Sequence, residues 1–194
     1  MPRQVFEFEA PERFVAGAIG APGSRAFYLQ ARAGGRTTSV LLEKQQVAVL
    51  AERVNDLLDE VLRRSGGSAP VPAIAPADSL DSDPLETPVE EEFRVGTMSL
   101  AWDADRQRVI IECFELRQAT PGEDPETTEQ VDLDDDEEQA TGGVLRLILT
   151  GAAARGFAKR ALAVVAAGRP PCPFCANPLD PEGHVCPRAN GYRR

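Results

Sequence analysis

Between Arg25 and Arg64 the spacing of apolar residues changes period, and that change restricts the fold more than any other feature of the chain. "RAFYLQARA" at 25–33 and "RTTSVLLE" at 36–43 read as strands, and the Gly34-Gly35 pair between them supplies a tight hairpin turn. "KQQVAVLAERVNDLLDEVLRR" at 44–64 then places Val47, Leu50, Val54, Leu57, Leu58 and Val61 at helical spacing, with charges on the opposite side. A hairpin feeding an amphipathic helix leaves two apolar faces that must cover each other. The fold class is therefore α+β.

The same order of elements returns in the second half. "EFRVGTMSLAWD" at 92–103, an Asp-Ala-Asp turn and "RQRVIIECFEL" at 106–116 predict a second hairpin, and "GVLRLILT" at 143–150 a further strand. Thr150 is the expected N-cap of a helix in "GAAARGFAKRALAVVAA", whose apolar face holds Ala154, Phe157, Ala158, Ala161, Leu162 and Val165. With "RQVFEFEA" at 3–10 counted as the first strand, the chain reads as strand, strand, strand, helix, twice. "LAER" at 50–53 and "FAKR" at 157–160 echo each other inside the two helices.

The expectation is an internal repeat of two antiparallel units packed together, each helix covering a sheet face. The first unit is residues 1–64, a Pro/Gly/acidic linker is 65–91, the second unit is 92–167, and the tail is 168–194. Pro11 is expected to begin a short helical turn with Phe14, Val15 and Ile19 as apolar contacts, followed by a sharp loop at Gly20–Gly23. That glycine loop lacks the Gly-Lys-Ser/Thr ending of a phosphate loop and feeds a strand, so it reads as a structural turn.

Net charge is −10, but it is unevenly spread. Residues 78–92 hold seven acids and residues 118–140 hold ten, with no Lys or Arg in either. They account for 17 of the 31 acidic residues, so the rest has 14 acids against 21 bases, a net charge of +7. Rich in Pro, Thr, Asp and Glu and poor in aromatics, both segments read as disordered or highly mobile loops whose first use is solubility. The sharper alternative has them folding over the basic scaffold in place of a ligand. No apolar run is long enough to span a bilayer and the start lacks the apolar stretch of a secretion signal, which together predict a cytoplasmic protein without a membrane partner.

Three of the four cysteines and the single histidine lie in "PPCPFCANPLDPEGHVCPR" at 170–188. Cys172 and Cys175 are spaced C-x-x-C in a proline-stiffened turn, and His184 and Cys186 follow as H-x-C. Soft thiolates and an imidazole in this pattern suit a tetrahedral zinc ion, and four protein ligands make the role structural, in a small zinc-ribbon or knuckle-like tail. The segment offers only Phe174, Leu179 and Val185 as apolar residues, so metal would supply much of its folding free energy. An iron-sulfur centre or a Cys172–Cys175 redox pair are the alternatives. The fourth cysteine, Cys113, alternates onto the face of Ile111 and reads as a buried, inert thiol.

The phrases "PRQVFEFEAPERFVAGAIGAPGSRAFYLQA", "LLEKQQVAVLAERVNDLLDEV" and "GRPPCPFCANPLDPEGHVCPRANGYRR" together resemble the actinobacterial family called domain of unknown function 3090. The resemblance carries no activity. It implies a small cytoplasmic protein encoded near a histidine-phosphatase-like and a kinase-like protein, and it transfers Cys172, Cys175, His184 and Cys186 as the expected metal site.

With its one histidine assigned to metal, the chain lacks the parts of a Ser-His-Asp or Cys-His centre; Glu112 and Glu115 are the carboxylates left for acid-base work, and Glu112 reads as solvent-facing. The leading expectation is a non-catalytic zinc-binding adaptor with a protein partner. The alternative is a single-strand nucleic-acid binder masked by its own acidic loops, with Arg155, Lys159, Arg160, Arg188, Tyr192, Arg193 and Arg194 as contacts. An enzyme working through carboxylates is the third reading.

Overall fold

The computed structural model describes residues 3–116, 142–168, 172–175, 179 and 186–188. Seven strands, β1 (Gln4–Glu9), β2 (Arg13–Ile19), β3 (Ala26–Ala33), β4 (Arg36–Leu42), β5 (Glu91–Asp103), β6 (Arg108–Glu115) and β7 (Gly143–Leu149), make one mixed sheet in the order β1-β7-β6-β5-β4-β3-β2. Two helices, α1 (Lys44–Arg64) and α2 (Gly151–Ala166), pack on each other and on the sheet. The class is α+β. Among the described residues no helix is long and apolar enough to cross a membrane.

Local chemistry explains most boundaries. Gly34 and Gly35 take φ of 57° and 78° and close the β3-β4 hairpin, a conformation that other residues adopt at a cost. Gln46 turns back to accept from the Glu43 amide at 2.8 Å and so starts α1, while its Nε2 donates to the carbonyls of Val95 and Gly96 and ties that first turn to β5. The Thr150 hydroxyl accepts from the Ala153 amide at 3.1 Å and caps α2. Val47, Leu50, Ala51, Val54 and Leu58 of α1 are buried with Ala154, Phe157, Ala158 and Ala161 of α2 in a core that continues into Leu29, Val40, Ile111 and Leu147 of the sheet.

Four expectations are corrected. The segment after Pro11 is a strand, not a helical turn: β2 pairs antiparallel with β3 from Arg13↔Arg32 to Ile19↔Ala26, and its alternation places Phe14, Ala16 and Ala18 across from Ala31, Leu29 and Phe27. Strand pairing satisfies a whole row of backbone groups, which a single helical turn cannot do.

The strand at residues 4–9 does not join the elements that follow it. It lies parallel to β7, where Arg146 stands opposite Glu7 on one side and Glu112 on the other, 3.3 and 2.7 Å from their carboxylates. Opposite charges facing across neighbouring strands favour this register. Arg36 of β4 sits over the Phe8 ring and donates to the Glu7 carbonyl, so the sheet curls and brings its β1 edge back towards the other half.

The sheet is continuous, not two separate antiparallel sheets, because β4 and β5 pair in parallel. The acidic residues 78–90 lie on the protein instead of projecting from it. A short 3-10 turn at Ala77–Ser79 packs on Gly156 of α2, and Asp81–Glu86 forms a strap along β2, β3 and β4. Composition weighed the entropy of ordering this segment but not the guanidiniums that wait for it. The second acidic stretch, 118–140, falls outside the described residues.

Arg13 and Arg160 converge on the strap's first carboxylate. Asp81 accepts from Arg13 Nε at 2.6 Å and Nη2 at 3.0 Å, and from Arg160 Nη1 at 2.6 Å. The Arg13 hydrogen bonds, helped by both positive charges, hold the Asp81 carboxyl below its ordinary 3.8 although burial opposes this. A lowered folded pKa gives stability that is complete above the unfolded value and lost as pH falls through the folded one. The strap should therefore stay attached at pH 5 and release only in acid below about pH 4, near and under the free Asp value; amide exchange of residues 81–86 across a pH series checks the window. Gly156 gives a second expectation. A Cβ there would collide with the Ser79 carbonyl, so Gly156→Val should cost about 1–3 kcal/mol by overpacking, read by denaturant unfolding.

Candidate metal centre

Past α2 the chain is tied back at once: Arg25 Nη1 donates to the Ala167 carbonyl at 2.8 Å. The cysteines that follow come together. The sulfurs of Cys172, Cys175 and Cys186 all lie within 4.8 Å of one another, with Cys172 and Cys186 buried and Cys175 half-buried. Two turns make the arrangement. In the first, Cys172 to Cys175, the Phe174 amide donates to Cys172 Sγ at 3.4 Å. The second runs from Cys186, and Arg188 Nη1 reaches across from it to the Phe174 carbonyl at 3.1 Å.

The distances fit a shared cation better than a covalent bond. Cys172 and Cys186 are 3.8 Å apart, whereas a disulfide needs about 2.05 Å. Sulfurs at about 2.3 Å from a tetrahedral zinc stand about 3.8 Å from each other, the spacing seen here. Burial disfavours the thiolate of Cys172, but hydrogen bonds from the backbone at Cys175 and Phe174 and from the neighbouring thiols outweigh it, and its pKa falls below the ordinary thiol value. Three sulfurs held in this way could bind a metal ion.

His184, expected as the fourth ligand, lies outside the described residues, as do Tyr192, Arg193 and Arg194. Of the other cations named from sequence, Lys159 is exposed and Arg188 serves the turn above. Arg155 and Arg160 point inward, contrary to their reading as surface contacts. Arg155 is 6% exposed and donates to Asn55, to Asp59 Oδ1 at 2.7 Å and to the Pro72 carbonyl, crosslinking α2, α1 and the linker. Arg160 reaches the Ala16 carbonyl on the open edge of β2 as well as the strap.

The carboxylates considered for acid-base work are also committed. Glu112 is not free in solvent: it accepts from Arg146 at 2.7 Å and Ser99 at 2.9 Å. Burial opposes its ionisation, yet these bonds lower its pKa. Glu115 accepts from the Gly143 amide at 2.6 Å.

Residues 6–186 match the model of the family described as "Protein of unknown function (DUF3090)". The chain belongs to this family. Comparison with curated proteins and with solved structures finds no match. For the DUF3090 chain, the residues that sequence reasoning missed are Arg13, Gln30 and Arg32, which receive the strap. The only signal for them was the +7 balance outside the acidic runs, and that does not say which cations share a face.

The cysteines also separate by reactivity. Burial pushes Cys113 up to about 12, which leaves about one thiolate in ten thousand at pH 8. With a chelator present, iodoacetamide should modify the tail thiols of the folded chain and spare Cys113 until denaturant is added; peptide mass mapping reads the difference.

Proposed function

We propose that the chain is a zinc-binding adaptor with no catalytic role, in which Cys172, Cys175, Cys186 and His184 hold one structural zinc in a knuckle-like tail. The observation that carries the reading is the three-sulfur cluster with a 3.8 Å edge and an amide hydrogen bond into Cys172. Zinc accepts tetrahedral thiolate and imidazole donors without redox change, and a fourth protein ligand leaves no position for a substrate. Exposed Phe174, in the turn between the first two cysteines, gives such a tail an apolar point of contact for a protein partner.

An adaptor is favoured over a nucleic-acid binder because Arg155 and Arg160 are spent on internal partners, which removes two cations from the surface that phosphates would need. It is favoured over an enzyme because Glu112 and Glu115 carry structural hydrogen bonds and Cys113 is an inert thiol. With β2 in place of the strand at 4–9 as the first of the unit, the recurrence of three strands and a helix, β2-β3-β4-α1 and β5-β6-β7-α2, supports duplication of one unit as the origin of the scaffold.

Freshly purified protein should contain about one zinc per chain, and Cys175→Ser should lose it. The body should remain folded, since no described residue beyond α2 belongs to the hydrophobic core cluster. Elemental analysis together with circular dichroism of the variant tests both parts. Zinc-free protein, or another metal in its place, defeats the reading.

A further inference from the structure

The register of β2 and β3 places Arg13 directly opposite Arg32. Like charges facing across neighbouring strands are destabilising unless an anion lies between them. Glu12 stands 3.4 Å from Arg32 Nε, and the other anions come from the strap, where they are read in detail. Asp81 takes both Arg13 and Arg160, while Glu86, at the other end, accepts from Arg32 Nη1 at 2.5 Å and Thr37 Oγ1 at 3.1 Å. Between them Arg13 Nη2 donates to the carbonyls of Asp83 and Pro84 at 2.8 and 2.9 Å, and Leu85 occupies the notch left by Gly17, where an added Cβ would come 2.5 Å from the leucine.

We propose that this face of β2, β3 and β4 is a receptor groove for an extended acidic peptide, filled in cis by Asp81–Glu86 and open to an acidic segment of a partner protein when the strap lifts.

The chemistry matches a peptide backbone and not a sugar-phosphate backbone. Buried Gln30 uses both ends of its amide on one residue of the occupant: Nε2 donates to the Glu86 carbonyl at 3.1 Å and Oε1 accepts from the Glu86 amide at 2.8 Å. A phosphodiester has no N–H donor to meet that oxygen. The pattern read is a carboxylate and carbonyl at Asp81, the carbonyls of Asp83 and Pro84, the aliphatic side chain of Leu85, and at Glu86 a second carboxylate with both main-chain groups, spaced along an extended backbone. Charged side chains set the register and main-chain bonds add affinity, as in other modes of extended-peptide capture.

The strap is held in a way that permits exchange. No residue from 72 to 92 is buried, so lifting the strap withdraws none of its own side chains from the core. It bridges two hollows. One, of about 490 Å³, lies between it and α2 and is lined by Phe14, Phe157 and Leu80; the other, of about 470 Å³, lies beneath Pro84 and Leu85 beside Ile19 and Val164. Both hollows are open to solvent, so the strap is not sealed to the body along its whole length. The link from α1 to β5, residues 65–90, is also far longer than the roughly two to six residues usual after such a helix. The groove shares no residue with the cysteine cluster, so its failure would leave the zinc reading intact.

The test uses the full chain with Asp81→Asn and Glu86→Gln, which weakens the cis contacts, and a fluorescein-labelled peptide SLDSDPLETP, the sequence of residues 79–88. Fluorescence anisotropy should show saturable binding, at least tenfold weaker to the unaltered chain because the cis strap competes. Adding Arg13→Gln and Arg160→Gln should weaken it at least tenfold. In the unaltered chain, amide exchange at residues 81–86 should run at least tenfold faster than in β3. Absence of peptide binding by the folded variant, failure of that variant to fold, equal protection of strap and β3, or tighter binding of a single-stranded oligonucleotide of equal charge would each overturn the proposal.

Discussion

Parallel pairing of β4 with β5 is the constraint on which the rest of the architecture depends. Antiparallel neighbours can be joined by a two-residue turn, but a parallel pair forces the chain to leave the sheet and return. The return is made by α1 and residues 65–90, and each does a second job. The helix packs on α2, β3 and β5, while Gln46 and the Glu43–Arg94 pair fasten its start to β5. The linker passes over Gly151 and Gly156 of α2 at Val71 and Ser79, so the second helix lies beneath a segment supplied by the first half of the chain. Small residues on α2 are what allow that backbone to come so close.

Electrostatics then fixes α2 in two directions. Arg155 holds Asn55 and Asp59 of α1, and Arg160 holds the edge of β2 together with Asp81. Burial lowers the pKa of the Arg160 guanidinium, an unfavourable setting for a cation that lies close to Arg13. The arrangement is tolerable because Asp81 lies between the two guanidiniums, and carbonyls of the strap and of Ala16 take further donors. The linker thus brings Asp81 and Glu86 to Arg13, Arg160 and Arg32, and supplies part of the charge that balances the basic scaffold.

Sequence reasoning succeeded where the cause is local. The helical period of α1, the Thr150 cap, the Gly34-Gly35 turn and the C-x-x-C spacing all depend on residues a few positions apart. It failed where the cause is a partner distant in the chain. "RFVAGAI" mixes alanine and glycine with too few β-branched residues to read as a strand, and becomes one because β3 offers a ladder. The placement of β1 depends on Arg146, far away in sequence. The acidic linker looks unstructured because its composition records the entropy of ordering and omits Arg13, Arg32 and Arg160, which no local window contains. The cysteine cluster was legible as a motif, and the pairing of Arg188 with the Phe174 carbonyl was not, since it needs the two turns to meet first.

The two sites meet at α2. Its middle carries Arg160, which reads the strap, and its last turns line the hollow beneath Leu85 with Val164 and Ala167, beside Arg25. The same Arg25 donates to the Ala167 carbonyl, immediately before the chain leaves for Cys172. A helix end has unpaired carbonyls, and a cation placed there satisfies one of them and interacts favourably with the helix dipole. Arg25 therefore anchors the point from which the cysteine tail hangs, and it does so from the start of β3, next to the strand that forms the groove wall.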